Sequence, residues 1–173
     1  MANNFMEVNF VMVIAGSPGS GKTTLAKIAS AFYKCAYISG DEVSKKLFPD
    51  KYENIEENSE GLKMVKERLL EDVKKIFDRG ESVVVDYVIL DKEYIDEYKE
   101  LFGKNLIFRI IHPSLESIIE RDRKRECWTS GEDTVKRIYE EYEKFKFIVR
   151  ASNYIDNTAQ TPEETFEKYF KIP

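Results

Sequence analysis

The stretch GSPGSGKT, residues 16–23, decides the fold of this chain. It fits the pattern GxxxxGK(S/T), follows the apolar run VNFVMVIA (8–15) and precedes TLAKIASAFY (24–33), which has helical spacing. Glycines let the backbone curl tightly, so that its N–H groups face inward and, with the helix N-terminus, form an anion site. A chance glycine-rich turn is the alternative, but such a turn would not need a buried strand before it and a helix after it. The stretch therefore predicts binding of a nucleoside triphosphate.

Two side chains within this stretch are predicted to bind different parts of the ligand. In this pattern Lys22 places a positive charge on the β- and γ-phosphates, and Thr23 offers its hydroxyl to Mg²⁺. The predicted cofactors are therefore ATP and Mg²⁺. The residues predicted to bind the nucleotide are Gly16, Ser17, Pro18, Gly19, Ser20, Gly21, Lys22, Thr23 and Thr24.

Strands and helices alternate along the rest of the chain. The continuous apolar run before the glycine-rich turn is typical of a strand buried on both faces of a parallel sheet. Further strands are predicted at 35–39, 82–86, 105–111 and 153–157. Helices are predicted at 24–33, 40–48, 60–79, 91–102, 114–126, 133–149 and 162–170. This alternation predicts the α/β class with a parallel sheet.

Length and composition exclude several classes of protein. The 173 residues fit one domain, spanning 1–173, and the net charge of −5 argues against a non-specific nucleic-acid binder. Cys35 and Cys127 form no CxxC pair, so we expect a reducing, cytoplasmic compartment. Neither a secretory signal nor a run of about 20 apolar residues is present, so no membrane partner is expected. His112 is the one histidine, which nearly excludes Ser–His triads and histidine-based metal sites.

The glycine-rich stretch resembles the GxxGxGK(S/T) loop of the P-loop kinases of small molecules and nucleotides. The resemblance covers most of residues 10–145 and is to polynucleotide kinases, zeta-toxin-like kinases and chloramphenicol phosphotransferases. It is carried further by YISGDEVSKKLF (37–48), VVVDYVILDKEY (83–94) and IIHPSLESIIERDRKRE (110–126). It implies a five-stranded parallel sheet, an acceptor-binding segment at about 41–75 and a lid at about 121–132.

Two aspartates lie at or just beyond the carboxyl ends of predicted strands, where ligands of such sheets bind. Asp41 matches the general base of the polynucleotide kinases, which takes the proton from the acceptor hydroxyl. Its alternative role is that of a helix N-cap, for which Asp is a favoured residue. Asp86 ends the strand VVVD and can serve Mg²⁺ through water or bind the acceptor. The alternative for Asp86 is a turn residue at the end of a strand.

The charged run ERDRKRE (120–126) bears the predicted lid arginines. Arg121 and Arg125 are four residues apart, share one helix face and match arginines of the similar kinases. An arginine closing over the phosphates would stabilise the charge that develops during transfer. The alternative is a solvated helix end, where cations are favourable in any case. Arg137 is a further candidate of this kind, with a surface ion pair as its alternative.

The remaining aromatic residues near the predicted site are assigned mainly to packing. Trp128 and Tyr87 are candidates for contact with a base or an acceptor, but core or lid packing is the preferred interpretation for both. His112 is expected to end its strand without a chemical role.

One departure from the resemblance bears on the acceptor. Polynucleotide and adenylate kinases place an arginine three residues after the aspartate, and here that position is Ser44. An unphosphorylated acceptor such as a nucleoside, sugar or antibiotic is therefore favoured. The predicted function is ATP-dependent transfer of the γ-phosphoryl group to a hydroxyl of a small acceptor. The alternatives are a nucleoside monophosphate kinase and a nucleotide-dependent switch, although no NKxD motif for guanine is present.

Overall fold

The fold is built on a five-stranded parallel sheet. The computed structural model describes residues 9–49, 60–124 and 129–171. The strands are β1 (Val11–Gly16), β2 (Ala36–Ser39), β3 (Val83–Tyr87), β4 (Leu106–Ile111) and β5 (Tyr154–Ile155), in the spatial order β2-β3-β1-β4-β5. All four strand pairings are parallel. The predicted α/β class with a five-stranded parallel sheet is confirmed.

Helices connect the strands, and side chains cap the start of several of them. They are α1 (Lys22–Tyr33), α2 (Gly40–Leu47), α3 (Glu60–Asp78), α4 (Lys92–Phe102), α5 (Leu115–Arg123), α6 (Glu132–Phe145) and α7 (Pro162–Tyr169). The Asp91 side chain caps α4, the Ser114 side chain caps α5, and Thr161 forms a reciprocal capping box with Glu164 at α7. These bonds satisfy N–H groups that the first turn of a helix leaves unpaired.

The sheet divides the core into two layers. Alternate residues of β1 point to opposite faces, as the strand period of two requires. Val11, Val13 and Ala15 pack with residues of α3, α4 and α6, whereas Met12 and Ile14 pack with residues of α1 and α7. Because β1 is buried on both faces, its sequence is a continuous apolar run.

Helix α6 ends four residues earlier than the periodic pattern predicts. The helix ends at Phe145, and Phe147 is 93% exposed beyond it. Val149 nevertheless packs against the core from this turn, and its backbone N–H donates to the carbonyl oxygen of Phe145 at 3.2 Å. Because Val149 contacts the core from beyond the end of α6, the apolar pattern in the sequence continues past the helix.

The register of the strands brings three chain segments to one edge of the sheet. Asp86 of β3 lies opposite Ile14 of β1 and opposite Ser39 of β2. In the sheet, β1 lies between β3 and β4. The chain therefore builds β2 and β3 on one side of β1 and then crosses to the other side for β4 and β5. Such a switch point opens a crevice at the carboxyl ends of the strands, where open α/β sheets bind their ligands. Across the described ranges, no helix combines the length and the apolar character needed to cross a bilayer.

Candidate active site

The turn between β1 and α1 is fixed by its glycines and by the helix behind it. Gly19 and Gly21 have φ angles of 81° and 96°, in the left-handed region that side chains disfavour. A Cβ atom at Gly19 would lie 2.6 Å from the carbonyl oxygen of Ile118 in α5. No larger residue fits there without moving backbone, so the turn and α5 hold each other in place.

The interior of this turn has the character of an anion site. The Ser17 and Ser20 hydroxyl oxygens are buried and find no hydrogen-bond partner within the described part of the chain. Because both residues are fully buried, these hydroxyls lie beneath the surface of the turn. The side chain of Lys22 is also buried, at 4% exposure, at the N-terminus of α1. A cation and a helix N-terminus together favour a polyphosphate.

A buried carboxylate lies beside the turn. The Thr23 hydroxyl donates a hydrogen bond to Oδ2 of Asp86, and the Tyr37 hydroxyl donates to Oδ1 at 2.9 Å. Asp86 is 2% exposed, so these two hydroxyls replace the water that would otherwise solvate its oxygens. Burial raises the pKa of Tyr37 well above its ordinary value, and the charge of Asp86 raises it further. Tyr37 therefore remains a neutral donor.

The pair Thr23 and Asp86 fits a magnesium ion. Mg²⁺ prefers oxygen ligands and is usually held by one or two protein side chains together with substrate phosphates and water. A hydroxyl and a carboxylate in direct contact, next to a turn suited to phosphates, provide such a donor set. Both residues predicted as magnesium ligands are thus brought together.

Asp41 lies in the first turn of α2, two residues after the end of β2. The N-cap of α2 is Ser39, so Asp41 does not occupy the capping position that was its alternative role. The Asp41 side chain is partly exposed, and its charge acts on the phenols of Tyr37 and Tyr87. Because Ser39 lies opposite Asp86, the two aspartates lie near the carboxyl ends of adjacent strands.

Ser44 and Tyr87 form a packed support beneath this part of α2. Ser44 is 5% exposed and its hydroxyl forms a hydrogen bond with Tyr87. Burial raises the pKa of Tyr87 to about 12, so its phenol is neutral at physiological pH. A Cβ atom on Gly40 would lie 2.1 Å from Cδ2 of Tyr87, which shows how closely α2 approaches this ring. Packing is therefore the role of Tyr87 that the structure supports.

Arg121 connects three segments around the nucleotide turn. Its Nη1 donates to the carbonyl oxygen of Ser20 at 3.3 Å and to Oδ1 of Asn157 at 3.4 Å. Its Nη2 donates to the carbonyl oxygen of Asn157 at 3.1 Å. The guanidinium thus ties α5 to the turn and to the segment between β5 and α7. Arg121 is at the site, as its predicted role requires.

A cavity of about 300 Å³ opens beside the turn. Its lining is Gly19, Gly21, Lys22, Thr23, Thr24, Leu25, Arg121, Asn157, Gln160 and Pro162. Sequence reasoning missed Asn157, Gln160 and Pro162. They follow β5, and the rule that ligands bind beyond the carboxyl ends of strands, applied to the predicted strand 153–157, would have pointed to this segment.

The base of the predicted lid is fixed by a buried carboxylate. Asp122 is 2% exposed, and its Oδ2 accepts a hydrogen bond from the backbone N–H of Ser130 at 3.0 Å. The chain before and after residues 125–128 is thereby held together. The candidates Arg125 and Trp128 lie outside the described residues.

His112 directly follows β4, and Arg137 lies on α6. His112 is buried, its ring stacks on Tyr139 at 4.4 Å, and its Nε2 contacts Glu143 of α6. Burial lowers the pKa of His112, although the hydrogen bond to Glu143 opposes this. The histidine joins β4 to α6, and its lack of a chemical role stays a prediction. The side chain of Arg137 is exposed on α6.

A glycine-rich anion turn at the switch point of a parallel sheet, with a hydroxyl–carboxylate pair beside it, defines a P-loop nucleotide-binding protein. Residues 11–144, more than half of the chain, match the family model described as an AAA domain (AAA_33), and the chain belongs to this family. No curated protein matches the chain significantly.

Solved structures of P-loop kinases share the fold. A gluconokinase from Sinorhizobium meliloti 1021 matches with a TM-score of 0.73 and 19% identity, covering 95% of this chain and 91% of that chain. A shikimate kinase from Aquifex aeolicus vf5 matches with a TM-score of 0.64 and 18% identity over 92% of both chains. The tunicamycin resistance protein of Deinococcus radiodurans matches with a TM-score of 0.63 and 16% identity over 93% of both chains. The chain therefore has the P-loop kinase fold, and the predicted resemblance is confirmed.

Proposed function

We propose that this protein is a kinase that transfers the γ-phosphoryl group of ATP to a hydroxyl of a small acceptor. The observation that carries the proposal is the position of Asp41. It is a partly exposed carboxylate beyond the end of β2, and Asp86 lies one residue before the end of the neighbouring strand, beside an anion turn. A protein that only binds nucleotide would not need a second carboxylate that is accessible to another ligand. Gluconokinase and shikimate kinase among the similar folds support this choice.

The residues take the following parts in the transfer. Lys22 and the backbone N–H groups of the turn bind the β- and γ-phosphates. Asp41 accepts the proton of the acceptor hydroxyl while the oxygen of that hydroxyl attacks the γ-phosphorus. The bond between the γ-phosphorus and the bridging oxygen breaks, and ADP leaves. Arg121 and Arg125 stabilise the charge on the transferred group and on ADP.

We assign Asp86 and Thr23 to magnesium rather than to the acceptor. The direct contact between the two side chains supports this choice, because it places two hard oxygen ligands next to the phosphate site. Mg²⁺, when bound, supplies positive charge that offsets the charge of the β- and γ-phosphates. In this proposal Thr23 and Asp86 hold two oxygen ligands side by side next to the phosphate site.

The acceptor in this proposal carries no phosphate. Ser44 occupies the position of the phosphate-binding arginine, and its hydroxyl is buried and bonded to Tyr87. A neutral, buried side chain thus stands in place of the arginine's positive charge. Nucleosides, sugars, antibiotics and similar hydroxyl-bearing metabolites remain as acceptor classes.

An acceptor panel tests the proposal. ADP release from MgATP is measured with nucleosides, sugars and aminoglycoside or nucleoside antibiotics, and with the monophosphates of the same compounds. We expect one unphosphorylated class to raise ADP release and to gain a phosphate in mass spectrometry, and the Asp41→Asn protein to lose this gain. Stimulation by a monophosphate alone would indicate a nucleoside monophosphate kinase. ADP release that no acceptor changes, with tight nucleotide binding, would indicate a switch.

A further inference from the structure

Tyr37 lies on the edge strand β2, at the side of the sheet that faces α1. It is opposite Val84 in register, so Asp86 is its diagonal neighbour on the same face of β3. Diagonal pairs on adjacent strands are within reach of a long aromatic side chain. The ring of Tyr37 packs against the core layer of Met12 and Ile14, while its hydroxyl reaches Asp86 Oδ1 at 2.9 Å.

The two oxygens of Asp86 are used differently. Oδ2 accepts the hydroxyl of Thr23, and Oδ1 accepts the hydroxyl of Tyr37. A carboxylate held through one oxygen alone is free to turn about its last side-chain bond. Held through both, it has one orientation, in which Oδ2 is directed to Thr23. The bond from Tyr37 thus fixes the orientation of the carboxylate plane beside the nucleotide turn.

We propose that Tyr37 is a positioning residue, which orients the Asp86 carboxylate and thereby sets the affinity of the site for nucleotide-bound Mg²⁺. The inference rests on the proposed function, because it requires that Mg²⁺ binds with the nucleotide at Thr23 and Asp86. Partners that orient metal ligands from outside typically change metal affinity about 10–100-fold when removed. Tyr37 makes one such bond to one ligand, so an effect of about tenfold is expected.

The test compares Tyr37→Phe with Tyr33→Phe. The first substitution removes the bond to Asp86 and keeps the ring in the core. Tyr33 lies at the end of α1 and its hydroxyl donates to the carbonyl oxygen of Phe170 at 2.7 Å, so its substitution removes the same group at a distance from the site. Calorimetry measures the Kd for ADP and for a non-hydrolysable ATP analogue, with Mg²⁺ and with EDTA.

We expect the metal-free nucleotide affinity of Tyr37→Phe to equal that of the unaltered protein. The gain in affinity on adding Mg²⁺ should fall about tenfold in Tyr37→Phe and remain unchanged in Tyr33→Phe. In turnover assays, the Mg²⁺ concentration for half-maximal rate should rise about tenfold, while kcat at saturating Mg²⁺ stays within a fewfold. Thermal unfolding of both variants verifies that the fold is retained.

Three results would overturn the inference. An unchanged Mg²⁺-dependent gain in Tyr37→Phe would show that Asp86 needs no such partner. Equal losses with and without Mg²⁺ would assign Tyr37 to the general structure of the site. A raised KM for the acceptor with normal Mg²⁺ dependence would place Tyr37 and Asp86 on the acceptor side. Absence of any Mg²⁺-dependent gain in the unaltered protein would instead contradict the proposed function itself.

Discussion

The nucleotide side and the acceptor side of the crevice are built in different ways. On the nucleotide side, the turn is enclosed by Ile118 behind Gly19 and by Arg121, which is bonded to Ser20 and Asn157. On the acceptor side, Asp41 stands partly exposed on α2, whose N-cap Ser39 makes no side-chain capping bond. Backbone geometry thus fixes the phosphate site. The proposed acceptor side instead presents the side chain of Asp41 from a short helix.

The largest effect should come from the enclosed side. Lys22→Ala removes a charged contact to the phosphates both in the bound state and during transfer. A hydrogen bond to a charged group contributes about 1.5–3 kcal/mol to binding, and losing one electrostatic contact costs about 10²–10³ in turnover. We expect kcat/KM to fall on the order of 10⁴-fold, measured by ADP release, and ATP affinity to fall in calorimetry. Unchanged binding and turnover in a folded variant would rule out the nucleotide site.

Asp41→Asn should distinguish nucleotide binding from the chemical step most clearly. Asparagine keeps the size of the side chain but takes no proton at neutral pH, so the chemical step should slow roughly a thousandfold, within the 10²–10⁴ range of general bases. ATP affinity should persist because the turn is untouched. Asp41 is not the N-cap of α2, so thermal stability should also be retained. Steady-state phosphotransfer with near-normal turnover would remove Asp41 from the mechanism and make Asp86 the next candidate base.

The lid arginine should affect the rate more than binding. Arg125→Ala should lower kcat about a hundredfold and change the KM for ATP less, because the contact strengthens as charge builds on the transferred group. Initial rates over a range of ATP concentrations separate the two parameters. Lys124→Ala is the control, since Lys124 is exposed and paired with Glu120. Equal kcat in the two variants would assign the run 120–126 to a solvated helix end.

The smallest effect should be on stability at the base of the acceptor side. Gly40→Ala places a methyl group 2.1 Å from the ring of Tyr87, which is buried and bonded to Ser44. Overpacking of this kind costs about 1–3 kcal/mol, more than the roughly 1 kcal/mol that alanine gains in a helix. Chemical denaturation measures the loss in the free energy of unfolding. In the double variant with Tyr87→Ala the two losses should not add, because the clash is removed.

The nucleotide site was predictable because a local sequence determines it. A glycine-rich turn, a lysine and a threonine in one continuous stretch carry their geometry with them, and the flanking apolar run specifies the strand before it. Alternating patterns also gave the order of helices and strands. The end of α6 was predicted too late, because Val149 contacts the core from beyond the helix and continues the apolar pattern.

Contacts between distant segments could not be predicted in the same way. The bonds of Arg121 to Asn157 and of Tyr37 to Asp86 join residues 36 and 49 positions apart, and no local pattern signals either. The register of neighbouring strands decides them, because a shift of one residue would turn Asp86 to the other face of the sheet. The sequence alone therefore determined a phosphate-binding turn in an α/β fold. Only the tertiary structure decided which side chains surround it, since that depends on which strand ends meet at one edge.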